Sequence, residues 1–353
     1  MHKLMQISTT AAVALIAGGL IATQASATQP GDLAANPYAP SFQHPYRHGA
    51  VPTREAASLI ARWARAHAAH GKGSASKTLA YGGGTNGIGV VSGTPRVYLV
   101  FWGSQWQTPS GDPDGAAQYL TDLFTGIGTG GELWSGTMTQ YCDGSGVAQG
   151  MTSCPSTAAV QVGYPSSGAL TGVWYDSGSP APSRAKTSQI AAEAVAAAGH
   201  FGNTTASSNR YVMYLVVSPS GTSPDGFGHA NFCAWHDYTT SSYGPIAYTN
   251  MPYVDDLGTS CGQDFVNPAP AGVNDGFSIV AGHEYAETLT DMLPAGGWTN
   301  PSTGEENGDE CAWISPGQPG GAADVSMGNG AYAMQSTWSN DTNACDISHE
   351  IIY

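Results

Sequence analysis

The stretch NDGFSIVAGHEYAETLTDMLPAGG, residues 274–297, decides how the rest of the sequence is interpreted. Its apolar side chains recur at helical spacing, the Asn-Asp pair at its start can cap the first turn, and a Pro followed by two Gly can end the helix. His283, Glu287 and Asp291 follow one another at intervals of four, which stacks them on one helical face. The sequence therefore predicts a mostly apolar helix with one acidic, histidine-containing face.

His283, Glu284 and Glu287 have the spacing of the HExxH motif of zinc peptidases, with a Glu in place of the second His. In that motif the residues one turn apart bind the metal, and the intervening Glu is the general base. By the same spacing, His283 and Glu287 are metal ligands and Glu284 is the base. A carboxylate ligand suits zinc, but it also makes the site more hospitable to harder cations.

The segment GEENGDECAW, residues 304–313, offers a third metal ligand. Glu306 is the first choice, because the 18 residues between it and Glu287 approach the spacing at which glutamate-type zinc peptidases supply theirs. Asp309 is a further candidate ligand, and Glu305 and Glu310 compete with it.

The charge pattern favours a metal at this cluster. The chain is only 10% charged, and no Lys or Arg follows Arg210. Buried carboxylates need a cation or hydrogen-bond donors, so a metal is the economical counter-ion on a largely buried helix. The alternative is a surface hydrogen bond between a His and a Glu one turn apart. We expect Zn²⁺, although one His with two carboxylates suits several divalent ions.

Two other segments contain candidate functional residues. In DGFGHANFCAWHDY, residues 225–238, His236 is predicted to stabilise an oxyanion as a catalytic residue or to enter the site as a further ligand; the alternative is a packed His bonded to a backbone carbonyl. Asp255 and Asp256 suggest either a separate structural Ca²⁺ site or, more simply, a solvated turn.

The chain begins with the pattern of an exported protein. Residues 1–27 have a Lys near the start, an apolar run from 11 to 22 and small residues before Thr28, which predicts a signal peptide and a secreted, extracellular product. In that compartment, six cysteines predict disulfides. Sequential pairing closes the shortest loops, while the other connectivities stay open: Cys142–Cys154, Cys233–Cys261 and Cys311–Cys345.

Charge divides the mature chain into two parts. Residues 28–80 contain six basic and two acidic residues, whereas residues 81–353 contain four basic and twenty-four acidic ones. We therefore expect residues 28–84 to form a basic prosegment, removed at the loop KTLAYGGGTNG (77–87), or a permanent N-terminal arm, and residues 85–353 to form an acidic catalytic domain. An acidic body argues against a nucleic-acid partner, and no later apolar run suggests a membrane span.

Strand and helix signals alternate in the body. Residues 96–106 and 209–221 are β-branched and aromatic runs typical of buried strands, and residues 115–127 and 183–202 have helical spacing, the latter with Gly199 as a plausible cap. The pattern predicts one α+β or α/β domain with a mixed sheet and long loops pinned by disulfides.

The motifs GHEYAETLTD, GWTN and GEENGDECAW together resemble those of a group of secreted bacterial HExxE proteins and, more distantly, of the plant phosphate-induced (Exordium-like) proteins. The shared features are the HExAE helix, an E-x-x-D-x-C loop and an upstream C-x-x-H, here CAWH at 233–236. The resemblance implies a zincin-like metallopeptidase domain over residues 97–353. It assigns to the motifs these residues: His283, Glu284 and Glu287 in the helix, Glu306 and Asp309 in the loop, and His236 upstream.

The sequence thus predicts a secreted, monomeric, metal-dependent hydrolase, a zinc endopeptidase made as a preproprotein that acts on a protein or peptide substrate. Two alternatives stay open. One is a non-catalytic extracellular or cell-wall-associated binding protein with a structural metal site. The other is an acid peptidase that uses paired carboxylates alone.

Overall fold

Residues 36–67, 76–157 and 159–353 are described in a computed structural model. The predicted signal peptide, residues 1–27, lies outside the described residues. The helices are α1 (Arg54–His67), α2 (Ala116–Gly126), α3 (Thr187–His200) and α4 (Asp275–Thr290). The strands, numbered along the chain, are β1 (His48–Pro52), β2 (Ala80–Tyr81), β3 (Arg96–Trp102), β4 (Cys142–Asp143), β5 (Val160–Gln161), β6 (Leu170–Asp176), β7 (Val212–Val217), β8 (Phe232–Ser241), β9 (Gly244–Met251), β10 (Trp298–Thr299), β11 (Ala323–Met327), β12 (Gly330–Met334), β13 (Thr337–Ser339) and β14 (Ala344–Asp346).

A six-stranded mixed sheet organises the molecule, in the order β1-β8-β9-β7-β3-β6. Strands β6, β3, β7 and β9 are parallel to one another. Strand β8 pairs antiparallel with β9, and the edge strand β1 pairs antiparallel with β8. Strand β7 is buried along its whole length, as expected for a parallel strand covered on both faces. The predicted strands at 96–106 and 209–221 are β3 and β7, so the predicted α+β class with a mixed sheet is confirmed.

The two helices predicted in the body are also present, as α2 and α3. The end of α3 differs from the prediction: Gly199 lies inside the helix, which continues to His200. Gly202, with φ of +75°, adopts the left-handed conformation just beyond that end.

Three disulfides join the cysteines in sequential pairs, which confirms the predicted pairing. Cys233–Cys261 ties β8 to the 3₁₀ helix Val254–Cys261. Cys311–Cys345 ties the acidic loop after β10 to β14. Both bridges therefore stiffen segments next to α4.

Residues 36–67, called the arm below, pack on the body. Strand β1 pairs with β8, with His48 opposite His236. Arg47 is 5% exposed, and its guanidinium donates to the Asp225 carboxylate at 2.7 Å. Helix α1 follows, with Thr53 Oγ1 accepting from the backbone N–H of Ala56. The arm is thus both a strand of the central sheet and a surface helix.

Glu193 on α3 makes stability depend on pH. Its side chain is buried, and burial, reinforced by Asp176, raises the pKa of Glu193 from 4.5 to about 8. Between pH 4.5 and about pH 8, the folded chain keeps the proton of Glu193, whereas the unfolded chain releases it. The free energy of unfolding is therefore greatest below pH 4.5, and it declines as the pH rises through about 8.

We expect Glu193→Gln, which cannot ionise, to flatten this decline. The variant should melt at a higher temperature than the wild type at pH 8.5, by about 2–4 °C for each kcal/mol recovered. The measurement is thermal unfolding followed by circular dichroism from pH 5 to pH 8.5. Glu350→Gln, at an exposed position, serves as the control. Parallel curves for wild type and Glu193→Gln would contradict the prediction.

Candidate metal centre

Helix α4 is buried on every face, including all of its polar side chains. It packs against β1 and β8 on one side and β12 on another. A helix with apolar residues on most of its surface is suited to such a central position. The motif residues His283, Glu284 and Glu287 therefore lie inside the protein and are 0% exposed.

Asp291 does not belong to the acidic face predicted for this helix. The helix ends at Thr290, and Asp291 follows it in a non-helical conformation. Its carboxylate accepts hydrogen bonds from the backbone N–H groups of Ala295, Gly296 and Gly297. Asp291 therefore closes the turn after the helix. Burial raises the pKa of Asp291 to about 7, and the three backbone donors offset part of that rise.

His283 is held in one orientation by Gln335, which the sequence analysis did not identify. The Gln335 amide nitrogen donates to the carbonyls of Gly308 (2.9 Å) and Ser336 (3.2 Å), so its oxygen faces His283 Nδ1 at 3.1 Å. Nδ1 must then carry a proton and donate it. The Nε2 atom is left facing carboxylates, 3.0 Å from Glu287 Oε1 and 3.7 Å from Asp309 Oδ1.

A positive charge is needed between His283 Nε2 and these carboxylates. Burial alone would lower the pKa of His283, but Glu287 outweighs it and raises that pKa to about 9. In the metal-free chain Nε2 therefore holds a proton. A divalent cation in the same place would replace the proton and use the Nε2 lone pair as a ligand.

His236, on β8, has a similar arrangement. Its Nδ1 lies 3.1 Å from Glu284 Oε2, and its Nε2 lies 3.5 Å from Glu306 Oε1 without a hydrogen-bond partner. In the tautomer whose Nδ1 donates to Glu284, the Nε2 lone pair faces Glu306. A carboxylate that orients an imidazole in this way is a common outer-shell partner of metal-ligating histidines.

The loop between β10 and the 3₁₀ helix Asp309–Cys311 brings Glu306 and Asp309 to α4. The backbone N–H of Asp309 donates to Glu287 Oε1 at 2.8 Å. At Gly308, a Cβ atom would lie 2.9 Å from both Glu287 Oε1 and His283 Nδ1, so a side chain at this position would press on the site. The Cys311–Cys345 disulfide fixes the end of this loop, as the sequence predicted.

All six predicted site residues come together, but the structure divides the ligand set differently from the sequence. Two groups have donor atoms within 4.8 Å of one another and could hold a metal ion. Their members, with Glu287 in both, are His236, Glu287 and Glu306 in the first group and His283, Glu287 and Asp309 in the second. Glu306, predicted to join His283, thus lies with His236, and His236 is a candidate ligand as well as a neighbour of Glu284.

The carboxyl groups of the site have few basic partners. Burial raises the pKa of Glu284, Glu306 and Asp309 well above their ordinary values, and neighbouring carboxylates raise them further. In the described part of the chain, the only basic side chains within 4 Å of these carboxyl groups are the two imidazoles. Lys77 and Arg47 pair elsewhere, with Glu310 and Asp225. Nitrogen and oxygen donors in such surroundings fit a divalent cation.

Strand β1 of the arm closes the site. Gly49, with φ of +48°, passes so near that a Cβ atom would collide with Glu287 Oε2 and the His236 ring. The backbone of Val51 lies near enough to the Glu284 carboxyl group to lower its pKa, against the larger effect of burial. The donors lie beneath this strand, with His236 1% and Glu306 3% exposed.

Asp255 and Asp256 do not form a metal-holding group with any third residue among the residues described. Asp256 accepts from the Ser220 hydroxyl and the Gly221 N–H, both at 2.7 Å, and so anchors a turn. Burial and the nearby Asp114 raise the pKa of Asp255 to about 8. The contacts of Asp256 are those of the turn that the sequence offered as the simpler alternative to a calcium site.

Comparisons with protein-family models, with curated proteins and with solved structures find no match. Among the helices that the structure describes, none combines the length and apolar composition needed to cross a membrane. The resemblance to secreted HExxE proteins therefore stays a prediction from the motifs.

The orientation of His283 by Gln335 can be tested. We expect Gln335→Ala to weaken divalent-metal affinity about 10- to 100-fold, because the ring loses the acceptor that fixes its tautomer. The measurement is competition with a chromogenic chelator. Gln140→Ala removes another buried Gln, one that bonds Thr137 and Ser339, and should leave the affinity unchanged. Equal affinities for Gln335→Ala and wild type would show that the amide does not support a ligand.

Proposed function

We propose that the protein is a secreted, metal-dependent hydrolase, specifically a zinc endopeptidase made as a preproprotein. The observation that carries the proposal is the convergence of His283, Glu284 and Glu287 with His236 and the acidic loop. Their unpartnered donor atoms face one another in the interior. The α+β architecture, with the motif helix beneath the edge of a mixed sheet, agrees with the zincin-like domain that we propose.

The residues have distinct roles in this proposal. Zinc would be held by His283, Glu287 and the loop carboxylates, and when bound it supplies a Lewis acid that lowers the pKa of water. Glu284 accepts the proton from water, for which its Oε1 atom has no other partner. Its Oε2 atom orients His236. His236 faces Glu306, which favours it as a ligand over the oxyanion-stabilising role predicted from sequence.

The arm acts as the inhibitory prosegment in this proposal. A peptide cannot reach Glu284 while β1 lies over it, so hydrolysis requires the arm to move or to be removed. Arg47 with Asp225, and Arg54 over the Phe265 ring, hold basic residues of the arm on the acidic body. The arm therefore has the charge and the position expected of a shield.

Residues from Lys77 onward stay with the body in this proposal, although the sequence suggested removal at 77–87. Lys77 pairs with Glu310 at 3.3 Å, and β2 pairs with β10. The N–H groups of Gly82 and Gly84 donate to the carbonyls of Gly297 and Gly296. Cleavage within 77–84 would cut a segment that is hydrogen-bonded to the body.

The alternative function is a non-catalytic binding protein with a structural metal. The complete burial of His283, Glu284 and Glu287 favours it, because a structural site needs no access for a substrate. The two functions differ in turnover once the arm has been loosened. The binding protein would retain its metal and hydrolyse nothing.

Glu284→Gln tests the proposed chemistry. We expect it to lower the rate of hydrolysis of a dye-labelled, unfolded protein by about 10²- to 10⁴-fold, because the amide cannot accept the proton. Metal content, measured by elemental analysis of the same samples, should remain. Glu305→Gln changes a carboxylate of the same loop that belongs to neither donor group, and it should retain activity. Full activity in metal-loaded Glu284→Gln would refute the mechanism.

Loosening the arm should expose the site. Gly49→Ala introduces a Cβ that collides with Glu287, and Arg47→Met removes the pairing with Asp225 without touching a donor. We expect both variants to increase the rate of metal extraction by a chelator and the rate of hydrolysis. Each rate should rise about tenfold for every 1.4 kcal/mol by which the variant destabilises the state in which the arm covers the site.

Gly317→Ala is the matched control for the arm variants. Gly317 also has a left-handed φ, of +78°, but a Cβ there meets nothing within 4 Å. Its rates should equal those of the wild type. If Arg47→Met and Gly49→Ala behaved like this control, the arm would not be the barrier to the site.

A further inference from the structure

We propose that the site holds two divalent cations, bridged by the carboxylate of Glu287. This inference rests on the proposed metal site and deepens it. A single ion is what the sequence predicts, since the spacing of His283, Glu287 and Glu306 supplies one set of three ligands.

The first argument is the division of the donors into two groups. Neither group contains both imidazoles, and Glu287 is the one residue that the two share. Its Oε1 atom is 3.0 Å from His283 Nε2, whereas its Oε2 atom is 3.7 Å from His236 Nδ1. The two oxygens therefore lie beside different histidines, and Oε2 is on the Nδ1 edge of the His236 ring, the edge that also faces Glu284. The shared place of Glu287 in both donor groups, each with its donor atoms within 4.8 Å, is what supports a bridge. A carboxylate shared in this way can bridge two ions about 3.5–4 Å apart, the separation found in two-metal hydrolases.

The second argument is that each imidazole is separately prepared as a ligand. His283 and His236 are 0% and 1% exposed, and the Nε2 atom of each lacks a hydrogen-bond partner. Each is oriented through Nδ1 by its own neighbour, Gln335 for His283 and Glu284 for His236. One ion in the group of His283 would leave His236 Nε2 buried beside Glu306 without a cation. One ion in the group of His236 would leave His283 as a protonated imidazole beside Glu287 and Asp309.

The third argument is charge balance. Glu284, Glu287, Glu306 and Asp309 bring four carboxylates to the site, and no Lys or Arg of the described chain lies within 4 Å of them. When all four are ionised, one divalent ion leaves half of this charge uncompensated in the interior, whereas two divalent ions balance it. Asp291 lies near enough to raise the pKa of Glu306, but its own carboxylate is bound by three backbone N–H groups.

The decisive measurement is metal stoichiometry in the full chain. The purified protein is dialysed against a chelator, reloaded with excess MnCl₂ and desalted, and manganese is then measured by elemental analysis. We expect two ions per chain, with the electron paramagnetic resonance spectrum of a coupled Mn²⁺ pair. One ion per chain with the spectrum of an isolated Mn²⁺ would overturn the two-ion site and leave the proposed hydrolase standing. No bound metal would overturn both.

Variants locate the two ions. Asp309→Asn and Glu306→Gln should each retain one Mn²⁺ and lose the pair spectrum, because each removes a ligand from one group only. Glu287→Gln should lose both ions, and Glu305→Gln should keep both. Near- and far-ultraviolet circular dichroism checks that each variant is folded. Retention of one ion by folded Glu287→Gln would place the second ion away from this carboxylate and refute the bridge.

Discussion

Several carboxylates lie in the interior beside α4, where water cannot stabilise their charge. Glu284 and Glu287 belong to the helix, and Glu306 and Asp309 approach from the following loop. Charges in such a place must take up protons or bind a cation. No Lys or Arg among the described residues lies within 4 Å of these four carboxyl groups, so the histidines are the only basic side chains within reach. This electrostatic constraint governs the surroundings of the site.

The residues around the cluster follow from the same constraint. Backbone must approach the carboxylates closely from two sides, and glycine occupies both close approaches, at 49 and 308. The N–H of Asp309 donates to Glu287, and the backbone of Val51 lowers the pKa of Glu284, so the peptide chain itself supplies part of the compensation. The Cys311–Cys345 disulfide then holds the loop against the repulsion among its own acidic residues.

Sequence patterns predicted those parts of the structure that depend on local spacing. Residue periodicity and composition predicted the strands β3 and β7 and the motif helix. The preference for short closed loops predicted the disulfide pairing. The motif residues were found for the same reason, since their chemistry is concentrated in two short segments. The resemblance to HExxE proteins drew on these same segments, and no comparison adds to it.

Contacts between residues that are distant in the sequence could not be predicted from the spacing of residues within a motif. Gln335 lies 52 residues from His283, and its role depends on how β12 meets α4. The strand β1 contains no alternating pattern that distinguishes it from a linker, and only its partner β8 gives it a place in the sheet. Asp291 was misassigned because i+8 spacing assumes a helix that continues, whereas the chain turns at that residue.

The arm contains no cysteine, and this determines how the arm can dissociate from the body. Every cysteine lies at or beyond residue 142, so all three disulfides are internal to the body and none crosses to the arm. While the chain is intact, the arm binds as a tethered ligand at high effective concentration. A single cut in the connecting chain makes that association bimolecular, and dilution alone then favours separation. The concentration of the cleaved protein would then set how long the two pieces stay together.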